Sequence, residues 1–378
     1  MSARTHIRCR PALALFVALF WTACSDRPSG VAPDTFDESV ESVVTQQLIE
    51  RHLPAALGQQ VRITPGLLRT PGIVGSAVAL GADGLPTVVA LVEHPGVSVP
   101  KGVGKLVTGL LSALAWQQVP PVADPQAKPT CGKRNLPPCD DPPPNPDPEP
   151  GRTERHPRPV PIGISTGHPA ITAGTIGARV TDGTNVWALS NNHVYADVNA
   201  ASLGDAVIQP GSYDGGTSPA DDIGTLADYE PLDFSACTNV MDAAIALSST
   251  DDLGNSTPSA GYGTPRISTM AATLNMKVKK FGRTTGQTKG SINGVNATLN
   301  VGYGSAGVAC FTGQLVITPG AFSSGGDSGS LVVVDGKGRS RADNGRPVGL
   351  LFAGSSQSTI ISPIDPILAR FGVTIDGN

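Results

Sequence analysis

A mainly β fold is predicted for the larger, C-terminal part of this 378-residue chain, and three observations predict it. Gly and Pro are dense, at 45 and 34 residues, so long helical bundles and coiled coils are excluded. Beyond residue 160 the apolar segments are short, β-type and separated by Gly, Asn, Asp and Pro. The clearest are Val186–Leu189, Ala243–Leu247, Lys277–Phe281, Leu331–Val334 and Val348–Phe352. Helix signals are scarce there; one helix is expected near the end, capped by Ser362, with Pro363 at its first position, running to Phe371 before Gly372. Many short strands with frequent turns argue a barrel or sandwich.

The Pro excess is local. Fifteen of the 34 prolines fall between Pro120 and Pro161, a run that forms neither helix nor ladder and is expected as a stiff linker over 120–160. It separates a small α+β part, 31–119, from the larger part, 161–378. The small part opens with a helix candidate: Thr35 and Glu38 have capping-box spacing, and Val40, Val43, Val44, Leu48 and Leu53 recur at helical intervals until Pro54. Ile73–Leu80 and Thr87–Val92 flank Ala82-Asp83-Gly84 and predict a hairpin. Lys105–Trp116 is apolar and fits strand or helix. His52 and His94 carry no catalytic context.

Residues 1–24 read as an export signal. Arg4, Arg8 and Arg10 precede the apolar run Ala12–Trp21, which is too short to span a bilayer. Trp21-Thr22-Ala23-Cys24 resembles a bacterial lipobox, which implies lipidation of Cys24; the alternative is a simple signal cleaved near Ala23. In an oxidising compartment the remaining cysteines, Cys131, Cys139, Cys237 and Cys310, allow three pairings, and Cys131–Cys139 with Cys237–Cys310 are expected. Metal-ligand spacings are absent from the sequence. The net charge of −4 gives no electrostatic footprint for nucleic acid.

Three segments carry chemistry. Leu189-Ser190-Asn191-Asn192-His193-Val194 places a His just past an apolar strand. Val240-Met241-Asp242 places an acid at the mouth of another. Gly325-Gly326-Asp327-Ser328-Gly329-Ser330 places a Ser in a Gly-rich turn feeding Leu331–Val334. A serine hydroxyl is a weak nucleophile until an imidazole takes its proton, and the imidazole needs a carboxylate to hold its tautomer. The glycines let the N–H groups of Gly326 and Ser328 converge as an oxyanion hole, worth ~3–4 kcal/mol per donor. His193 is the last His of the chain, which excludes the Ser…Asp…His order of α/β-hydrolases. His168, in a His-Pro loop, is a poor base. Asp221 and Asp222 follow the turn Ser218-Pro219-Ala220 and are expected as solvated loop carboxylates.

The order His193…Asp242…Ser328, with Gly326-Asp327-Ser328-Gly329, resembles chymotrypsin-like (trypsin-fold) serine peptidases. Asn192-His193-Val194 stands where that family usually has Ala-His-Cys. Phe281-Gly282-Arg283-Thr284-Thr285-Gly286 looks like the turn opening the second barrel of bacterial members. The wider pattern, from Pro161-Ile162-Gly163 to Gln209-Pro210-Gly211, is similar to bacterial proteins related to the plant narrow-leaf trypsin-like protease. The resemblance implies a double β-barrel over 161–378 and a His193–Asp242–Ser328 triad. It also implies a buried Asp327 needing a cation, for which Arg283 and Lys280 are candidates. Phe322 would floor the specificity pocket and Phe352, Ala353 and Gly354 would wall it, so a small or apolar side chain is expected there.

The reading is an exported, lipid-anchored or secreted serine endopeptidase with a polypeptide substrate and no cofactor. Its activity should fall as His193 becomes protonated, near the ~6.5 of an unperturbed imidazole. Two alternatives share the scaffold: a catalytically silent binding protein, which Asn192 beside the His favours, and an esterase.

Overall fold

The computed structural model describes residues 38–113 and 149–378. The signal segment with Cys24, the Thr35 cap, Trp116, residues 120–148 of the Pro-rich run and the Cys131–Cys139 pair lie outside the described residues. The described residues from 44 onward form one compact unit.

Helix α1 (Glu38–Leu67) continues through Pro54, where the sequence predicts its end. An interior Pro costs a helix about 3 kcal/mol. Ile49 and Leu53 before it, and Ala56 and Leu57 after it, share one apolar cluster with Val78, Ile292 and Leu315. Each large apolar side chain buried there contributes roughly 1.5–3 kcal/mol, which offsets the Pro. The expected hairpin forms from β1 (Ile73–Leu80) and β2 (Pro86–Val92). The ambiguous stretch after it resolves into β3 (Gly104–Val107), parallel to β2, and the two-residue β4 (Ser112–Ala113).

A short pair, β5 (Ser165–Thr166) and β6 (Gly174–Thr175), leads into a six-stranded sheet. That sheet contains β7 (Ala178–Thr181) and β8 (Val186–Ser190), with a one-turn helix α2 (Asn192–Tyr195) after β8. It continues with β9 (Ala206–Ile208), β10 (Asp222–Tyr229) and β11 (Ala244–Ser248). The second sheet is built on β12 (Lys277–Gly282), β13 (Gly286–Gly302), β14 (Val308–Thr318), β15 (Leu331–Val334), β16 (Pro347–Gly354) and β17 (Thr359–Pro363). The chain ends with α3 (Ile364–Phe371) and β18 (Thr374–Ile375), which returns to pair with β7. The five strands expected from the sequence all form, within two residues of their expected limits.

Strands β12, β15, β16, β17, β14 and β13 pair in that order, and β13 pairs back to β12, so this sheet closes on itself. Closure removes the edges that an open sheet exposes. The mainly β architecture expected from the sequence is the one adopted. The N-terminal hairpin is part of it: β1 pairs antiparallel with the far end of β13, extending the second sheet by β1, β2 and β3. The long, apolar-alternating β13 outruns β12 in the closed ring and leaves on that side an edge that β1 covers.

The two sheets meet over one apolar cluster, to which Ala178, Val180 and Leu189 contribute from the first and Leu331, Val333 and Leu350 from the second. Ile364, Ile367 and Leu368 of α3 close it. Helix α3 is capped by Pro363 and not Ser362, whose hydroxyl donates to Gln314 Oε1 at 2.8 Å. Cys237 and Cys310 form the expected disulfide, tying the loop before Asp242 to β14. Residues 149–160, the end of the Pro-rich run, are pinned to the body: Glu149 accepts from Ser259, and Arg152 donates to the Arg283 and Thr284 carbonyls.

Candidate active site

The turn at the end of β8 sets the position of His193. The strand stops at Ser190, and α2 buries all four of its residues. The two flanking Asn side chains hold the turn: Asn191 Nδ2 donates to the Asp242 carbonyl at 2.7 Å, and Asn192 Nδ2 donates to Asn199 Oδ1 at 2.7 Å and the Glu230 carbonyl at 2.8 Å. Asn192, unusual beside a candidate base, is therefore a loop clamp. Asp242 lies two residues before β11, whose Ala244 pairs with Ser190, so strand register brings acid and imidazole together.

The pair is fully enclosed. His193 Nδ1 and Asp242 Oδ2 are 2.5 Å apart, and the His193 N–H donates to Oδ1 at 3.3 Å. A third donor, not anticipated from the sequence, is Tyr303, whose hydroxyl reaches Asp242 Oδ2 at 2.8 Å. Burial and the neighbouring Asp242 carboxylate push the Tyr303 phenol well above its ordinary range, so it stays protonated. Among the described residues, His193 Nε2 has no hydrogen-bond partner.

Ser328 sits in the turn before β15. Its carbonyl accepts from the Thr175 N–H at 2.7 Å, and its hydroxyl donates to the Phe352 carbonyl of β16 at 3.4 Å. Close approach to the His193 helix depends on Gly174: a Cβ there would lie 2.6 Å from the Val194 methyls and 3.1 Å from the Ser328 carbonyl. The structure thus joins His193 to Asp242 directly and brings the Ser328 backbone beside α2, while the Ser328 hydroxyl is bonded to β16 and not to His193.

The proposed oxyanion donors are held from behind. Gly326 has φ +88°, a conformation that favours glycine. Thr284 Oγ1 donates to the Gly325 carbonyl at 2.6 Å, and Thr175 Oγ1 to the Gly326 carbonyl at 2.9 Å. In a trans peptide the C=O and N–H point opposite ways, so anchoring the Gly325 carbonyl turns the Gly326 N–H away from Thr284. The Asp327 carbonyl is taken by Ser330 Oγ at 2.6 Å, which turns the Ser328 N–H away from Ser330. Neither N–H has an acceptor among the described residues.

Asp327 is buried and heavily satisfied. Oδ1 accepts from the Thr284 and Thr285 N–H groups at 2.9 and 3.1 Å; Oδ2 accepts from Thr285 Oγ1 at 2.6 Å and the Ser324 N–H at 3.0 Å. Of the two candidate cations Lys280 is the partner, at 3.3 Å. Burial lowers the Lys280 pKa from its ordinary value, and Asp327 opposes that shift. Arg283 turns the other way, forming a two-point bond with Asp214 at 2.6 Å for each nitrogen while lying over the Tyr213 ring.

Three of the four expected pocket residues lie in apolar clusters. Phe322 is buried with Ile292, Ile317 and Leu351. Phe352 and Ala353 are buried in another cluster, with Leu111, Ala113 and Tyr303. Ala353 and Gly354 pair antiparallel with Ala113 and Ser112, so the β16 strand next to Ser328 carries the chain's own β4. His168 is bonded to Asp205, at 3.2 Å. Asp221 departs from the expectation of a solvated carboxylate: it is buried and doubly bonded to Arg155 at 2.5 and 2.6 Å. The Arg155 guanidinium holds its carboxyl below the usual range. The cation that neutralises it lies in the Pro-rich run, distant in sequence, and no local pattern reveals that.

Comparison with known proteins adds a sequence match and a set of structural likenesses. No curated protein matches the chain. Thermobifida fusca protease A superposes with a TM-score of 0.42 at 20% identity, covering 58% of this chain and 100% of that one. Cellulomonas bogoriensis chymotrypsin gives 0.40 at 17%, covering 58% and 99%. A glutamic acid-specific serine protease described as using a histidine triad in substrate binding gives 0.42 at 19%, covering 57% and 100%. The chain is thus similar to bacterial chymotrypsin-like serine proteases, and its residues 265–362, the span carrying Lys280, Tyr303, Asp327 and Ser328, match the Nal1 C-terminal domain.

Proposed function

We propose that the protein is an exported serine endopeptidase, lipid-anchored at Cys24 or secreted, acting through His193, Asp242 and Ser328. The observation that carries this reading is the enclosed His193–Asp242 pair at 2.5 Å, whose other imidazole nitrogen is without a partner among the described residues, as are the Gly326 and Ser328 amides. In the reaction, the Ser328 hydroxyl leaves the Phe352 carbonyl and turns to His193 Nε2, which takes its proton as Oγ attacks the scissile carbonyl. Asp242 holds Nδ1–H and stabilises the imidazolium. The amides of Gly326 and Ser328 bind the oxyanion. Collapse of the tetrahedral intermediate passes the proton from Nε2 to the leaving amine, and water then cleaves the acyl-enzyme by the same steps.

A polypeptide substrate is supported over a simple ester by β4. An extended segment already lies antiparallel on Ala353 and Gly354, one residue beyond the carbonyl that holds the Ser328 hydroxyl. That strand therefore accepts a backbone by ladder hydrogen bonds, the mode by which extended peptides are captured. It also means that a substrate must displace β4. A silent binding scaffold is the second reading, favoured by the Ser328 hydroxyl being engaged with Phe352.

A fluorophosphonate probe separates them. Labelling of the folded protein that disappears in Ser328→Ala supports the peptidase; an unlabelled folded wild type excludes it. Cleavage of a peptide library, compared with matched esters, decides between peptidase and esterase.

A further inference from the structure

The Asp242 carboxylate has no access to water, so its charge must be met by protein donors. His193 supplies two of the three it has. The third comes from the other sheet: Tyr303 is the residue just past β13, in the closed barrel, and its hydroxyl crosses to Asp242 Oδ2 at 2.8 Å. This is the oxygen that faces His193 Nδ1.

The Tyr303 ring is held on three sides. It stacks on Phe311 at 6.2 Å between centroids, meets Phe234 edge-on at 5.7 Å, and meets the His193 imidazole edge-on at 6.0 Å. Its N–H donates to the Gly307 carbonyl at 2.7 Å, fixing the turn that presents it. With two rings and a turn fixing the phenol, the hydroxyl is delivered to one carboxylate oxygen. The His193 backbone N–H reaches Oδ1 only at 3.3 Å, so the Tyr303 hydroxyl, at 2.8 Å, adds a firmer restraint on Oδ2, the oxygen that faces Nδ1.

We propose that Tyr303 is a positioning residue for the peptidase reaction, making the triad a four-residue network in which the second sheet locks the acid supplied by the first. The inference rests on the peptidase reading, but Tyr303 need not touch substrate. It acts on turnover through Asp242 and His193.

Tyr303→Phe keeps the ring and its three ring contacts and removes only the hydroxyl. The expected result is a roughly 10- to 100-fold fall in kcat on a peptide substrate, the range of one hydrogen bond to a charged group, with KM unchanged. The proton NMR resonance of His193 Nδ1–H, expected far downfield in the wild type, should move upfield or broaden in the variant. A kcat within twofold of wild type, or a loss confined to KM, overturns the proposal; so does an unmoved resonance. If the wild type has no Ser328-dependent activity the peptidase reading fails, and the resonance still reports whether Tyr303 positions the pair. Should Tyr303→Phe not fold, the wild type carries the test: a slowly exchanging phenol proton with a cross-peak to His193 Nδ1–H is expected, and its absence refutes the bond.

Discussion

Lys280 Nζ lies 3.3 Å from Asp327 Oδ2, with both side chains wholly enclosed behind the Ser328 turn. Lys280 also donates to the Gly286 carbonyl at 3.0 Å and to Thr285 Oγ1, which itself donates to Asp327. A charge pair this deep is sustained because every remaining donor and acceptor is met. The cation comes from within the barrel, on β12.

Removing that cation should therefore be costly. Lys280→Met leaves Asp327 buried without its counter-charge, and breaking a buried pair costs about 3–5 kcal/mol. Urea melts should show an unfolding free energy lower by that amount. Lys280→Met combined with Asp327→Asn should recover part of it, because the stranded charge is gone.

Thr284 bonds the Gly325 carbonyl at 2.6 Å and so fixes which way the Gly326 N–H faces. Thr284→Val keeps the shape and loses the anchor. A roughly tenfold drop in kcat is expected, about the value of one neutral hydrogen bond. Thr284→Ser, which retains the hydroxyl, should be near wild type, and KM should stay constant in both variants.

Strand β4 lies on Ala353 and Gly354, where the proposed peptidase reaction would seat an extended substrate. Successive N–H groups of a strand point to opposite sides, so Pro at both 112 and 113 removes the ladder donor whichever residue supplies it. The Ser112→Pro/Ala113→Pro variant should show a KM for peptides lower by about tenfold, corresponding to ~1.4 kcal/mol of competing pairing. An unchanged KM in a folded variant would mean that β4 yields no ground to substrate.

Stability should fall on the alkaline side. Burial raises the phenol pKa of Tyr195, and burial with Asp242 raises that of Tyr303. Both are raised above their unfolded value near 10, so above that pH the unfolded chain releases protons that the folded chain keeps. Their stabilising contribution is complete below pH ~10 and is lost as pH rises towards the folded values. Urea midpoints measured from pH 8 to 11 should drop beyond pH 10, and less steeply in Tyr303→Phe.

Much of the site was legible as short segments. Short apolar β-type runs bounded by turn residues located β8, β11, β12, β15 and β16, because local sterics and burial determine strands. His193, Asp242 and Ser328 stood out because each borders such a run. Lys280 and Arg283 could not be told apart in sequence: they are three residues apart, and only the path of β12 into its turn directs one to Asp327 and the other to Asp214. Tyr303 carried no signal at all. A tyrosine after a strand resembles ordinary core, and its partner Asp242 is 61 residues away on a different sheet.

By itself, the sequence determined the mainly β class, the hairpin of β1 and β2, and the order of the candidate triad. These depend on local periodicity, turn chemistry and spacing, which a linear chain carries. Only the tertiary structure decided that α1 runs through Pro54, that the hairpin extends the closed barrel's sheet, that β4 lies on β16, and that Tyr303 completes the bonding of Asp242. Each of these is a contact between distant segments, and its free energy comes from burying groups that meet only when the sheets have formed.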